Sequence, residues 1–346
     1  VMGMIYRIPM TAIIGDKGNG FYSYAYSVYT ILLLLSSYSL PLAVSKMVSA
    51  KAQLGQWRNV KRVFICAIAF AIGIGTTFGL IVLIGAQFFT RVFFHSELAA
   101  IALRFMAPTI LIMALLGVFR GFFQGLQNTL PTAVSQIVEG LINAIMSVVF
   151  AYFLFDFGHG MDAAGGTTDL GYAWGAAGGA IGTGAGALAG LIFCFILFVA
   201  YRKILAVNIS RDKTGTQQEY GDIFRLMLSI ALPVILSTAL YNLIELVDGS
   251  LFNNIMASKG MEDVKDSMWG AYNAKALLLV HIPVSISSAM AVSLVPTLTA
   301  AYALGDEQTA KSKVHAILRF ISILAFPSAV GLLVLANPII KTLFSG

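Results

Sequence analysis

The stretch LGYAWGAAGGAIGTGAGALAGLIFCFILFVAY, residues 170–201, contains no aspartate, glutamate, lysine or arginine. A bilayer core about 30 Å thick is crossed by roughly 20 apolar residues as a helix, so this run is long enough to span one. In hydrocarbon the backbone must satisfy its own hydrogen bonds, which leaves a helix or a closed barrel. The alternation of a barrel strand is absent here, and the run reads as a spanning helix. Its first half is rich in glycine and alanine, the residues that let neighbouring membrane helices bring their backbones close. The glycines resemble a nucleotide loop only superficially, because no Lys-Ser/Thr follows them.

Working outward, Phe21–Ser45, Val63–Thr90 and Leu226–Ile244 are equally free of charge. Reading the rest the same way predicts about nine spans, near 1–14, 21–46, 62–90, 99–126, 130–155, 172–201, 223–256, 268–303 and 313–344. The first begins at Val1 and the last ends against Gly346, so the chain is expected to continue beyond both ends. The composition agrees: 58% of the 346 residues are hydrophobic and 11% charged, against roughly a quarter charged in a soluble domain. No cleavable signal peptide is visible. Cys66 and Cys194 fall inside spans 3 and 6, where neither spacing nor context suggests a disulfide or a metal, and they read as packing residues.

The net charge of +6 is unevenly placed. If the start is cytoplasmic, the inside loops carry 13 of the lysines and arginines between Lys46 and Arg319, while the outer loops carry Lys17, Arg91, Lys259 and Lys265. That asymmetry fixes the orientation, with the start inside. The outer loops also hold Asp156, Asp162, Asp169, Glu262, Asp263 and Asp266, which argues against a nucleic-acid partner.

The polar segment 201–222 separates six spans from three, and is read as the boundary between an N-terminal lobe, 1–210, and an incomplete C-terminal lobe, 211–346. A weak echo supports it. Gly20-x-Tyr22 and the Leu-Gly pair at 54–55 recur as Gly270-x-Tyr272 and 304–305, each displaced by 250 residues. Duplicated bundles are common in secondary transporters, which place the substrate at the repeat interface. Prolines inside or near the spans, at Pro9, Pro41, Pro108, Pro131, Pro233, Pro283, Pro296 and Pro327, predict kinks.

A charge near the bilayer centre costs at least about 2.5 kcal/mol, so each needs a reason. The candidates are Arg7, Arg120, Glu139, Glu245, Asp248, Lys275 and, at the edge of span 2, Lys46. Gln136, Glu139, Asn143 and Ser147 share one helical face, as do Thr238, Asn242, Glu245 and Asp248. Such stripes imply a polar interior. The alternative is structural, with Arg120 pairing to Glu139 and Lys275 to Glu245 or Asp248. An arginine fork suits phosphate, so a cationic interior suggests an anionic cargo such as a pyrophosphorylated lipid head group. No metal cluster and no nucleophile with a base emerges, so no catalytic residue is assigned.

The segments YRIPMTAIIGDKGNGFYSYAY (6–26), LPLAVSKMVS (40–49) and GVFRGFFQGLQNTLPTAVSQIVE (117–139), with the glycine-rich sixth span, resemble the polysaccharide-transporter branch of the multidrug/oligosaccharidyl-lipid/polysaccharide flippase superfamily. Within it the likeness is to the stage V sporulation protein B and MurJ-type lipid II flippase group. The resemblance implies an all-α integral membrane protein, a MATE/MurJ-like two-lobe bundle of about fourteen helices in the bacterial cytoplasmic membrane. It also implies alternating access for a lipid-linked oligosaccharide. Cavity cations in helices 1, 2 and 8 correspond to Arg7, Lys46 and Lys275, with Arg120 and Glu139 as further candidates. Some relatives bind sodium at helix 7, where Asn242, Glu245 and Asp248 are the candidates for a Na+ or H+ coupling ion; no other cofactor is implied. Membrane lipids and the cell-wall synthesis machinery are the expected partners. The competing readings are a flippase for another capsular, teichoic or spore-envelope glycan, a multidrug cation antiporter, a membrane enzyme on lipid-linked sugars, and a scaffold.

Overall fold

The computed structural model describes residues 2–165, 169–288, 290 and 306–344, and among these every regular element is helical. In chain order they are α1 (Met2–Leu33), a π-helical turn (Leu34–Tyr38), α2 (Leu40–Gln53), α3 (Trp57–Phe94), α4 (Ala99–Gly125), α5 (Leu130–Gly165) and α6 (Leu170–Ser210). They continue as α7 (Tyr220–Ser258), α8 (Glu262–Ala271), a second π-helical turn (Tyr272–Leu277), α9 (278–288) and α10 (Glu307–Phe344).

Among the described residues seven helical stretches are long and apolar enough to cross a membrane. The first of them, Tyr6–Gln53, holds both expected spans 1 and 2, and expected span 8, 268–303, lies partly outside the described residues, as does Pro296. Helix α6 has 41 residues, which at about 1.5 Å per residue is roughly twice the hydrocarbon thickness.

The boundary between spans 1 and 2 is tighter than the expected loop. Helical structure runs through Gly15, whose φ of 62° and ψ of −176° kink the chain there. Only glycine enters that left-handed region without strain. The Asn19 amide donates to Thr11 Oγ1 at 3.2 Å, although eight residues of straight helix would hold them about 12 Å apart. The chain therefore folds back at Gly15, and the two arms of α1 form a hairpin.

The glycine-rich face of α6 packs on α5. A methyl placed on Gly178 would fall on the backbone of Phe150 and Ala151, one on Gly182 on the backbone of Ser147, and one on Gly186 within 2.6 Å of the Glu139 carbonyl oxygen. The descending partners of the ascending glycines make the pair antiparallel. Dispersion between closely spaced backbones holds such a seam, since lipid supplies no hydrophobic drive between helices.

The chain divides into two compact units, Met2–Gly270 and 271–346. In the first unit the buried apolar residues gather at two ends. One cluster joins Met10, Tyr24, Phe94, Leu103 and Trp269; the other joins Leu40, Val48, Val60, Phe122 and Ile223. Cys194 is fully buried in the second, and Cys66 is buried there with it.

At the first end α8 crosses the α1 hairpin. A methyl on Gly20 would fall on the Asp266 carbonyl oxygen, and a methyl on Gly270 on the Asp16 carbonyl oxygen. Both members of one contact are displaced by 250 residues from their counterparts in the other, the spacing of the sequence echo. Beside it Lys265, which sequence alone puts in a loop, is buried and donates to the carbonyls of Phe94 (3.2 Å) and His95 (2.8 Å). It thereby caps the C-terminus of α3, where a cation meets the negative end of the helix dipole. At the other end the 211–219 segment is tied to α3: Asn59 donates to the Thr216 carbonyl and accepts from the Gln218 N–H.

Candidate functional site

The hairpin brings Arg7, on the first arm of α1, alongside the tyrosines of the second arm. Its guanidinium lies within electrostatic reach of Tyr22 and Tyr26, and beside Tyr6. Tyr22 and Tyr26 stack with centroids 5.8 Å apart and planes 19° apart, and Tyr26 meets Tyr29 at 5.9 Å. Tyr22 and Tyr29 are buried, whereas Tyr26 remains 36% exposed. Across from them Ser27 donates to Glu245 Oε1 of α7 at 3.4 Å, and Glu245 also lies within reach of Tyr26. Among the described residues no carboxylate pairs with Arg7. Tyrosine hydroxyls lend it polarity but no paired carboxylate, so an anion entering this space would meet a guanidinium without an ion-pair partner among the described residues.

Arg120 is placed differently. Its Nη2 lies 2.7 Å from Glu139 Oε2 and its Nε donates to Ser135 Oγ at 2.8 Å. Ser135 in turn donates to the Thr132 carbonyl. The pair joins α4 to α5 with charge and geometry satisfied, as the structural alternative anticipates. Along the same stripe Ser147 donates to Asn143 Oδ1 at 2.8 Å.

Lys46 is exposed on α2, and Lys275 sits on the second π-helical turn in the other unit with its ammonium 6.0 Å from the centroid of the Phe344 ring. Asn242 donates back to the Thr238 carbonyl at 2.8 Å, while Glu245 and Asp248 are exposed on α7. The structure thus gathers Arg7 and Glu245 around one tyrosine cluster, and Glu139, paired with Arg120, lies within electrostatic reach of Tyr29 in that cluster. No group of three or more metal-ligating side chains occurs among the described residues.

The residues that sequence reasoning passed over are the tyrosines. Tyr22, Tyr26 and Tyr29 recur at steps of four and three, which puts them on one helical face. That signal was available, but an aromatic face usually means core, and only the fold-back at Gly15 shows that this one faces an arginine.

At the ends of the helices polar side chains act as ties. Lys17 pairs with Asp169 at 2.8 Å, and Asp162 accepts from the Leu170 and Gly171 N–H groups at the start of α6. Asp212, outside the membrane segments, is held down to about 2 by the Arg58 N–H, the Thr214 hydroxyl and the Thr214 N–H.

A family model described as "Polysaccharide biosynthesis protein" matches residues 1–301, and a second of the same description matches 260–346. The lipid II flippase MurJ of Bacillus subtilis (strain 168) is 26% identical over 98% of this chain and 62% of that protein. Stage V sporulation protein B of the same organism is 23% identical over 99% of this chain and 64% of that protein. The chain therefore spans less than two thirds of the length of either relative. A solved structure described as the inward-facing conformation of a multidrug resistance MATE family transporter of the MOP superfamily superimposes with a TM-score of 0.74 at 14% identity, covering 99% of this chain and 72% of that one. A second, of a MATE protein in complex with MaD3S, gives 0.53 at 13% identity over 98% and 73%. The all-helical fold is thus that of the MATE transporters, and the relatives whose names state an activity are a flippase and transporters rather than enzymes.

Proposed function

The chain belongs to the polysaccharide biosynthesis protein family, and from that premise we propose that it is the carrier portion of a flippase for a lipid-linked saccharide pyrophosphate, with lipid II as the substrate. The observation that carries the reading is Arg7, a cation inside a membrane helix hairpin with no carboxylate beside it among the described residues. A guanidinium at that depth is costly unless something anionic offsets it, and its planar fork matches the paired oxygens of a phosphate.

The expected cycle is alternating access between lobes 1–210 and 211–346. The cargo enters from the cytoplasmic leaflet, the side of the basic loops. Its pyrophosphate meets Arg7, while the isoprenoid tail stays in lipid; Lys275 is a separate candidate contact. The Gly20–Asp266 and Gly270–Asp16 contacts part to release the head group outward. Asn242, Glu245 and Asp248 are the proposed helix 7 share of a Na+ or H+ coupling site, and a transport rate indifferent to sodium, pH gradient and membrane potential would remove that role. A cation antiporter is the weaker reading, since Arg7 repels a cationic drug.

The test is complementation with the full-length protein in a bacterium depleted of its own lipid II flippase, alongside Arg7→Ala and Lys275→Ala variants of matched membrane abundance. Rescue by the wild type and not by Arg7→Ala supports the reading. Failure of a well-expressed wild type moves the cargo to another lipid-linked glycan. Equal rescue by both variants returns the two cations to structural roles.

A further inference from the structure

We propose that Tyr26 is the surface on which the saccharide of the cargo stacks, beside the Arg7 fork that takes its pyrophosphate. The inference rests on the reading of the chain as a carrier of lipid-linked saccharides and specifies which part of the cargo each side chain meets.

Three tyrosines share the face of the second arm of α1, and two of them are engaged in packing. Tyr22 is 4% exposed, its ring lies against Gly179 of α6, and its hydroxyl is 3.4 Å from Thr183 Oγ1. Tyr29 is 2% exposed. Tyr26 between them is stacked on Tyr22 and braced by Tyr29, yet over a third of it stays open. The ring is therefore held in one orientation by its neighbours while keeping accessible surface. A lipid-facing ring would not lie within reach of both Arg7 and Glu245, since hydrocarbon excludes both charges. The open surface of Tyr26 therefore belongs to the polar space between α1 and α7.

The chemistry of that surface selects its occupant. A pyranose presents one face of C–H groups and a rim of hydroxyls. The C–H face fits the electron-rich face of an aromatic ring, and the rim finds acceptors in Glu245 and in the tyrosine oxygens. A ring with two rotatable bonds, already locked by stacking, loses little entropy on contact. Arg7 sets the register: with the pyrophosphate on the guanidinium, the sugar next along the head group reaches the neighbouring ring. An organic cation would also favour a tyrosine face, but Arg7 opposes it.

The experiment measures binding of two lipids to the purified full-length protein in nanodiscs: lipid II, and undecaprenyl pyrophosphate, which has the same tail and pyrophosphate but no sugar. The wild type is expected to prefer lipid II. Tyr26→Leu should lose roughly fivefold in lipid II affinity, the scale of one aromatic stack, with undecaprenyl pyrophosphate binding unchanged. Tyr26→Phe should keep the preference, because the ring remains. Arg7→Gln should weaken both lipids. If Tyr26→Leu weakens both lipids equally, or neither, the stacking role is overturned while the carrier reading stands. A wild type that binds both lipids alike has the same meaning. A wild type that binds neither, or that binds a quaternary ammonium cation instead, overturns the carrier reading and the inference with it. Where Tyr26→Leu fails to elute as a folded species, Tyr26→Gln makes the same comparison.

Discussion

Arg7 and Arg120 are the same residue in similar apolar surroundings, and their neighbours assign them opposite tasks. Arg120 finds a carboxylate at 2.7 Å and a hydroxyl at 2.8 Å, so its charge is offset within the protein. Arg7 finds tyrosines, and its charge is left available. A membrane protein can thus hold one arginine as glue and another as bait, and the difference lies in whether an acid comes within hydrogen-bonding distance of the guanidinium.

Stability measurements should separate the two sharply. Removing one partner of a buried pair costs about 3–5 kcal/mol because it strands the other charge, and somewhat less here, since the Glu139 side chain is 25% exposed. Glu139→Leu should therefore lower the melting temperature of the purified protein by many degrees, and the double variant Arg120→Met/Glu139→Leu should recover most of the loss. Arg7→Met should leave the melting temperature unchanged or raise it, since no partner is stranded. A large loss on Arg7→Met would erase the contrast and make both arginines structural.

A smaller effect tests the frame that holds the pair in place. Gly182→Leu puts a side chain onto the Ser147 backbone, and overpacking of this kind costs roughly 1–3 kcal/mol. It should loosen α5 against α6 and lower the melting temperature, whereas Gly73→Leu, where a methyl meets nothing within 4 Å, should not. If the two substitutions are equivalent, the seam does not contribute to stability.

The smallest effect lies far from both arginines. The Asp212 carboxyl sits below the ordinary aspartate value of about 3.9, so its ties to Arg58 and Thr214 contribute fully above roughly pH 4 and fade as pH falls toward about 2. At neutral pH they are intact. Asp212→Asn should then speed tryptic cleavage at Arg211 and Lys213 a few-fold at pH 7, with transport little changed.

Sequence periodicity was enough to find the helices, because runs such as 63–90 have no reading in water, and enough to place Glu139, Asn143 and Ser147 on one face. It also anticipated the Arg120–Glu139 pair as one of two alternatives, since the two are separated by a single connection. It did not reach the turn at Gly15, where one left-handed residue replaces a loop, because glycines are so common in this chain that none stands out. Nor could it tell that Lys265 caps α3, since a lysine 170 residues from His95 carries no local mark of its partner. Pattern reports which face a side chain occupies, and pairing across helices depends on depth and rotation that no period encodes.

The crossing at Gly20 and Gly270 has a consequence for how such a chain can change. Residue 20 lies on 266 and residue 270 on 16, which is the signature of a two-fold dimer contact, where each copy offers the other the same patch. Here one polypeptide makes that contact with itself. Two segments 250 residues apart that meet in this way can change elsewhere while their meeting point stays fixed. The glycines are the positions least free to change, since a side chain on either would wedge the junction apart.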